Sequence, residues 1–264
     1  MSMSKSIWWG LCVVVFAVTP TLANAGWIIK WENTPIRKGD RLESSDATAY
    51  IDGNRTRLEQ DHITTVTDYG KGTFSLLNPK SKFYWSGTVE TYAKESVKRR
   101  NAVMKSRLGS KASEDSDELP EVDVETLPKI TIEPTDEKLI IAGHETFKHV
   151  IRVNDELFQE VWVATDLDLT DDLAPKKVAE YQQTASRGMI GNSAKPYNAL
   201  YRSPEYVKLL KKGFALKTLI HHIAGSFEQS AKSVRESDIA PASFRVPKDY
   251  RRVRLQDVFT VDQQ

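Results

Sequence analysis

Apolar and polar side chains alternate with a period of two through much of this sequence, and tight-turn residues cut the alternation at short intervals. Residues 47–51 and 55–59 flank Asp52-Gly53-Asn54. Asp-Gly between two extended runs closes a hairpin, because the turn needs positive φ. Residues 62–69, 73–77 and 82–85 continue the pattern. Gly70-Lys71-Gly72 and Asn78-Pro79-Lys80-Ser81 separate them as turns. Upstream, Trp27, Ile29 and Trp31 fall on one face of a strand. Such a stretch folds as an antiparallel meander.

The period then changes. Val89, Tyr92, Ala93, Ser96, Val97, Arg100, Val103 and Met104 recur at helical spacing. This predicts a helix over residues 88–108, with Thr88 as N-cap and Glu90 in the first turn. Its outer face is basic. Residues 109–128 carry seven acids and one lysine and read as a flexible linker. Ion pairs between the two would each contribute only ~0–1 kcal/mol.

Strands are predicted again at 130–133, 138–142, 147–153 and 157–165, with Asn154-Asp155 turning the chain. In the last of these, Val161 and Val163 share one face, and Phe158 and Trp162 share the other. Two helices follow, one from Pro175 and one capped by Ser203 and stopped by Gly213. Residues 214–223 read as a strand. Residues 226–239 are ambiguous by periodicity, and 244–250 read as extended. Strands, helix, strands, helices, strands, mostly joined by hairpins, imply an α+β fold with an antiparallel sheet.

The N-terminus sets the expected location. Lys5 precedes an apolar run over residues 7–18, and Pro20 and Ala23-Asn24-Ala25 follow. This order marks a secretory signal peptide, residues 1–25, cleaved between Ala25 and Gly26. The run is too short for a membrane span, which needs about 20 apolar residues. Removing it takes away Lys5 and Cys12, the only cysteine, and leaves 36 basic and 36 acidic side chains. Thiol chemistry and an internal disulfide are excluded from such a mature chain. A balanced charge gives no general attraction to nucleic acid. A cysteine-free exported chain fits the bacterial periplasm. Its remaining 239 residues are enough to bury a core as one domain, 26–264, with the helix and acidic linker at 88–128 inserted into it.

Motifs with obvious chemistry are missing. His144 and His149 are five apart in an alternating segment, whereas a zinc protease needs two histidines four apart on a helix. His221 and His222 are neighbours on a predicted strand and point to opposite faces. Asp166, Asp168, Asp171 and Asp172 resemble a calcium loop in acidity alone, without its glycine and closing acid. They are better placed to favour the N-terminus of the Pro175 helix. No serine nucleophile elbow or phosphate loop occurs. No cofactor or metal is expected. The large strand aromatics Phe83, Tyr84, Trp85 and Trp162 remain as candidates, either to fill the core or to line an apolar cavity.

Several segments resemble a bacterial exported family, the domain-of-unknown-function family numbered 4412. They are residues 50–59 (YIDGNRTRLE), 77–85 (LNPKSKFYW), 141–145 (IAGHE), 160–163 with 166–168, and 244–250 (FRVPKDY). The resemblance implies a strongly curved antiparallel sheet, a half-barrel similar to the periplasmic lipoprotein carriers, with helices on its concave face. It also implies a strand at 226–239. The family supplies no catalytic residues.

The resulting expectation is a non-enzymatic periplasmic protein that binds an apolar ligand, a lipid or a lipidated protein. The alternative is a cell-envelope protein–protein module that uses the charged 88–128 segment. A hydrolase would require His and acid side chains converging in a pocket.

Overall fold

The computed structural model describes residues 26–108, 119, 121–189, 191–222 and 225–259. The expected signal peptide, with Ala25, and residues 109–118 of the expected linker lie outside the described residues. Gly26 opens the first strand, β1 (Gly26–Arg37). A short return, β2 (Asp40–Arg41), pairs back onto its end. β3 (Ser45–Asp52) and β4 (Arg55–Gln60) form the predicted hairpin, with φ of 55° at Gly53 and 62° at Asn54. Both turn residues are therefore left-handed, as the sequence demands. β5 (Ile63–Asp68), β6 (Thr73–Asn78) and β7 (Phe83–Thr88) complete the meander.

α1 (Val89–Leu108) follows without a loop. Thr88 caps it, its hydroxyl accepting the Thr91 N–H at 3.1 Å. Val89, Ala93, Val97 and Asn101, four apart, are all buried. That spacing sets one stripe of the helix against the sheet. Of the expected linker, residues 124–126 form a 3₁₀ turn. This part lies beside Arg187 and Lys195.

β8 (Ile130–Ile141), β9 (His144–Val153) and β10 (Glu156–Ala164) come next. The two strands expected at 130–133 and 138–142 are one, interrupted between Pro134 and Lys138. The proline is tolerated because β8 is an edge strand. In β10 the register slips between Leu157 and Gln159. This bulge turns Phe158 onto the side of Val161 and Val163, away from Trp162. Simple alternation puts Phe158 and Trp162 on one face, and the extra residue overturns it.

Three helices follow, one more than expected: α2 (Pro175–Ser186), α3 (Gly191–Arg202) and α4 (Pro204–Leu210). α3 opens on glycine and contains Pro196, both helix breakers, so local propensity hides it. Burial of Ala194, Tyr197 and Leu200 holds it in place. α4 matches its sequence signal, with the Ser203 hydroxyl accepting the Tyr206 N–H at 3.2 Å. β11 (Phe214–His222) and β12 (Gly225–Ser237) then run antiparallel, which makes most of the ambiguous 226–239 stretch a strand. The tail forms a 3₁₀ turn at 241–244, a two-residue strand β13 (Arg251–Arg252) parallel to β7, and α5 (Leu255–Val258).

All thirteen strands belong to one sheet, in the order β13-β7-β6-β5-β4-β3-β1-β12-β11-β10-β9-β8, with β2 beside β1. Its two ends do not meet, so the sheet is curved but unclosed. Three buried clusters line it. One joins β1, β3 and β11 to Leu167 and Leu169, one packs β9 and β10 against α3 and α4, and one packs β6 and β7 against α1 and α5.

Gly213 ends α4 and starts β11 with φ of 149°. A Cβ there would lie 2.0 Å from the Ala164 carbonyl oxygen. Gly213→Ala is therefore expected to lower stability by about 3 kcal/mol, since backbone cannot yield to the clash. Urea unfolding monitored by tryptophan fluorescence measures this; an unchanged midpoint would refute it.

Candidate functional site

A partly open cavity of about 440 Å³ lies between the sheet and the helices. Its floor is built from neighbouring strands: Trp31 of β1, Ala49 and Ile51 of β3, Leu58 of β4, and Phe214 and Ala215 of β11, next to the register shift against β10. Period-two alternation puts Ala49 and Ile51 on one face, with Leu58 directly opposite Ala49. Leu169 and Leu173 from the segment before α2, Val178 of α2 and Leu210 of α4 form its roof. None of the 19 lining residues is charged.

The roof is held in place by polar contacts at the rim. The Asp172 carboxylate accepts the Gly53 N–H at 3.1 Å, and the Asp172 carbonyl accepts the Asn54 N–H at 2.6 Å. In return, the Asn54 side chain accepts the Ala174 N–H at 2.9 Å, at the residue preceding α2. The hairpin turn thus fastens the entry to α2. This changes the role expected of the acidic stretch. Asp172 binds the hairpin, and α2 has no side-chain cap.

The polar groups in the cavity are largely matched to one another. Tyr206 donates to Gln182 at 2.7 Å, and the Gln229 amide donates to Asn33 at 3.0 Å. Burial holds the Tyr69 and Tyr206 phenols above the usual tyrosine range, with hydrogen bonds to Thr56 and Gln182 opposing it. Both therefore stay neutral through the physiological range. The cavity presents apolar surface and uncharged hydroxyl and amide groups.

The four aromatics singled out in the sequence lie elsewhere. Trp85 is buried against Phe74 and Tyr92 in the cluster between β7 and α1. Phe83 lies under the Arg251 guanidinium at the sheet edge, and Tyr84 stands opposite Leu77. Trp162, 4% exposed, belongs to the same buried cluster as Trp31 and Leu216 and does not line the cavity. It pairs in register with Lys148 and Lys217. The two ammonium groups flank its ring at 5.0 and 4.8 Å from the centroid, a stabilising cation–π arrangement.

Those lysines belong to a charge ladder across the outer face. Lys148 bonds Glu137 at 2.8 Å and Glu160, and Glu160 also bonds His221 at 2.9 Å. Lys217 and Arg41 converge on Glu228 at 3.1 and 2.8 Å. The histidines divide as their strand positions predict. His221 meets Glu160, whereas His222 meets Tyr197 on the other side. His144 pairs with Asp166 and His149 with Lys212. Among the described residues, no three His, Cys, Asp or Glu side chains converge as a metal site. No described helix is long and apolar enough to cross a membrane.

No protein-family model matches the chain, so the likeness to family 4412 stays a resemblance. No curated protein matches it either. Among solved structures, the chain is similar to PNGF-II, at 14% identity and a TM-score of 0.39, over 89% of this chain and 32% of that one. It is also similar to MucB in the Pseudomonas aeruginosa MucA/MucB complex, at 10% identity and a TM-score of 0.37, over 88% of this chain and 59% of that one. MucB alone gives 10% identity and a TM-score of 0.36. The chain thus spans about a third of the first and under two thirds of the second. At these scores no function transfers from either protein.

The Glu228 ladder gives a pH prediction. The Arg41 hydrogen bond, helped by Lys217 and opposed by burial, holds the Glu228 carboxyl below the usual glutamate range. A depressed folded-state value stabilises the fold above the unfolded value of about 4.3, and that stability is lost as pH falls through the folded value. Unfolding free energy should fall more steeply on acidification in the wild type than in Glu228→Gln. Parallel urea titrations across the acid range check this; identical slopes would refute it.

Proposed function

We propose that this protein is a non-catalytic carrier of the cell envelope that shelters the apolar part of its ligand in the cavity between sheet and helices. The uncharged lining of a cavity of about 440 Å³ is the observation that supports this. Ligand sites typically measure ~300–1,000 Å³. With no ion to pair against, a charged group inside would lose its hydration without compensation. A headgroup therefore stays at the mouth and a hydrocarbon chain goes in. The acyl chain of a lipid or a lipidated protein has this chemistry. Export through a signal peptide at residues 1–25 and residence in the periplasm belong to the same reading, and N-terminal sequencing of the exported protein should begin at Gly26.

Each methylene moved from water into such a site contributes about 0.8 kcal/mol, or roughly fourfold in affinity. Binding of straight-chain alcohols of increasing length should tighten by about that factor per carbon, then level off when the cavity is full. Ala49→Phe places a ring in the open space at its floor and should abolish binding while leaving the melting temperature unchanged. Calorimetric titration of the purified protein decides this. Failure of the whole series to bind, or full binding by Ala49→Phe, would overturn the proposal.

A further inference from the structure

A second recess, of about 730 Å³, lies between α1 and the C-terminal segment, away from the apolar cavity. One wall is the exposed side of α1, with Glu95, Lys98 and Arg99. The other wall is the segment through β13 and into α5, with Arg252 and Arg254. Trp85 forms the floor and is only 4% exposed, so the apolar part of the recess sits below a basic rim. Four basic side chains and Glu95 line it, and with Asp257 beside Arg254 the rim still carries a net positive charge.

Internal contacts fix most of the rim in place. The Arg99 guanidinium stacks on Phe259 at 4.8 Å from its centroid. Arg254 is paired with Asp257 at 2.9 Å. Arg252 donates to the Ser86 carbonyl at 2.7 Å. Lys98 makes no ion pair among the described residues. Holding like charges together costs stability unless something neutralises them, and this asymmetry calls for an anionic occupant.

The backbone points to its shape. β13 is the last strand of the sheet and pairs only with β7. The N–H groups of Arg251 and Val253 bond Lys82 and Tyr84, so the alternate residue Arg252 turns its own N–H and carbonyl away from β7. An open strand edge beside a groove accepts an extended chain. A flat anionic membrane would reach the rim but not the recessed Trp85.

We infer that this groove binds an extended acidic peptide segment of a partner protein, with carboxylates on the basic rim and an apolar side chain on Trp85. The site is separate from the apolar cavity and stands whether or not that cavity is filled.

Fluorescence anisotropy of the purified protein with a short labelled peptide of alternating Glu and Leu tests the inference. The peptide should bind and should weaken as salt is added. Lys98→Glu should weaken it about tenfold, since it reverses an exposed rim charge without removing an internal contact. Lys176→Glu, on exposed α2, should leave it unchanged, and so should Ala49→Phe in the apolar cavity. Equal binding of an alternating Lys and Leu peptide would overturn the inference, as would undiminished binding by a folded Lys98→Glu protein. So would co-sedimentation with phosphatidylglycerol vesicles in the absence of peptide binding.

Discussion

The whole sheet depends on the double pairing of β1. On one side β1 meets β3, from Trp27 opposite Ile51 to Asn33 opposite Ser45. On the other it meets β12, from Gly26 opposite Ser237 to Ile36 opposite Ser226. The meander from β3 to β7 and the meander from β8 to β12 touch as a sheet only through this strand. Its second pairing joins residues about two hundred positions apart in sequence. Loop-closure entropy grows only logarithmically with length, so such a closure is affordable, but it slows folding. The register of β1 against β12 shifts between Lys30 and Trp31, and such a bulge adds twist to the strand. Trp31 then lies on the helix side beside Phe214, with ring centroids 6.2 Å apart.

That geometry accounts for the cavity. A curved sheet leaves more room on its inner side than short helices can fill. The segment before α2 is fastened at one end by Asn54 and Asp172, and α4 is fastened to α2 through Tyr206 and Gln182. Between these anchors the floor carries Ala49, Ala215 and Gly213, which are too small to reach the roof. Larger side chains occupy the inner face on either side of it. Phe74, Trp85 and Tyr92 close the α1 end with edge and tilted ring contacts. Phe158 and Tyr197 close the α3 end. The open space survives where the side chains are small.

This explains what was legible in the sequence and what was not. Local signals read well. Asp52-Gly53-Asn54 and Asn154-Asp155 gave turns, Thr88 and Ser203 gave helix starts, and the alternation of Trp27, Ile29 and Trp31 gave the opening strand. Each depends on a few neighbouring residues. The pairing of β1 with β12 depends on none of these, and no motif marks it. The bulge at Phe158 is invisible too, because one inserted residue reverses the alternation without altering composition. α3 was hidden by its own glycine and proline. The site was the hardest part. Large aromatics are no guide to it: Trp85 packs against Phe74 and Tyr92, and Trp162 is buried between the ammonium groups of Lys148 and Lys217. A cavity is marked by the absence of bulk, and alanines in a strand look unremarkable until the roof above them is known.

The separation of charge between the two faces has a consequence for selectivity. The outer face concentrates its ions into paired ladders around Glu160 and Glu228, whose partners satisfy them within the protein. The inner cavity holds no ion at all. Hydrophobic attraction is non-directional and follows the area removed from water. A ligand held this way is chosen by the length and girth of its apolar part, with little reading of its headgroup. Tyr206 with Gln182 and Tyr69 with Thr56 are already bonded to one another in the wall, so these groups do not demand a matching pattern from the guest. Such a cavity suits a family of related chains better than a single compound. Discrimination between bearers of similar chains must then come from contacts outside the cavity, on surfaces where charge is exposed.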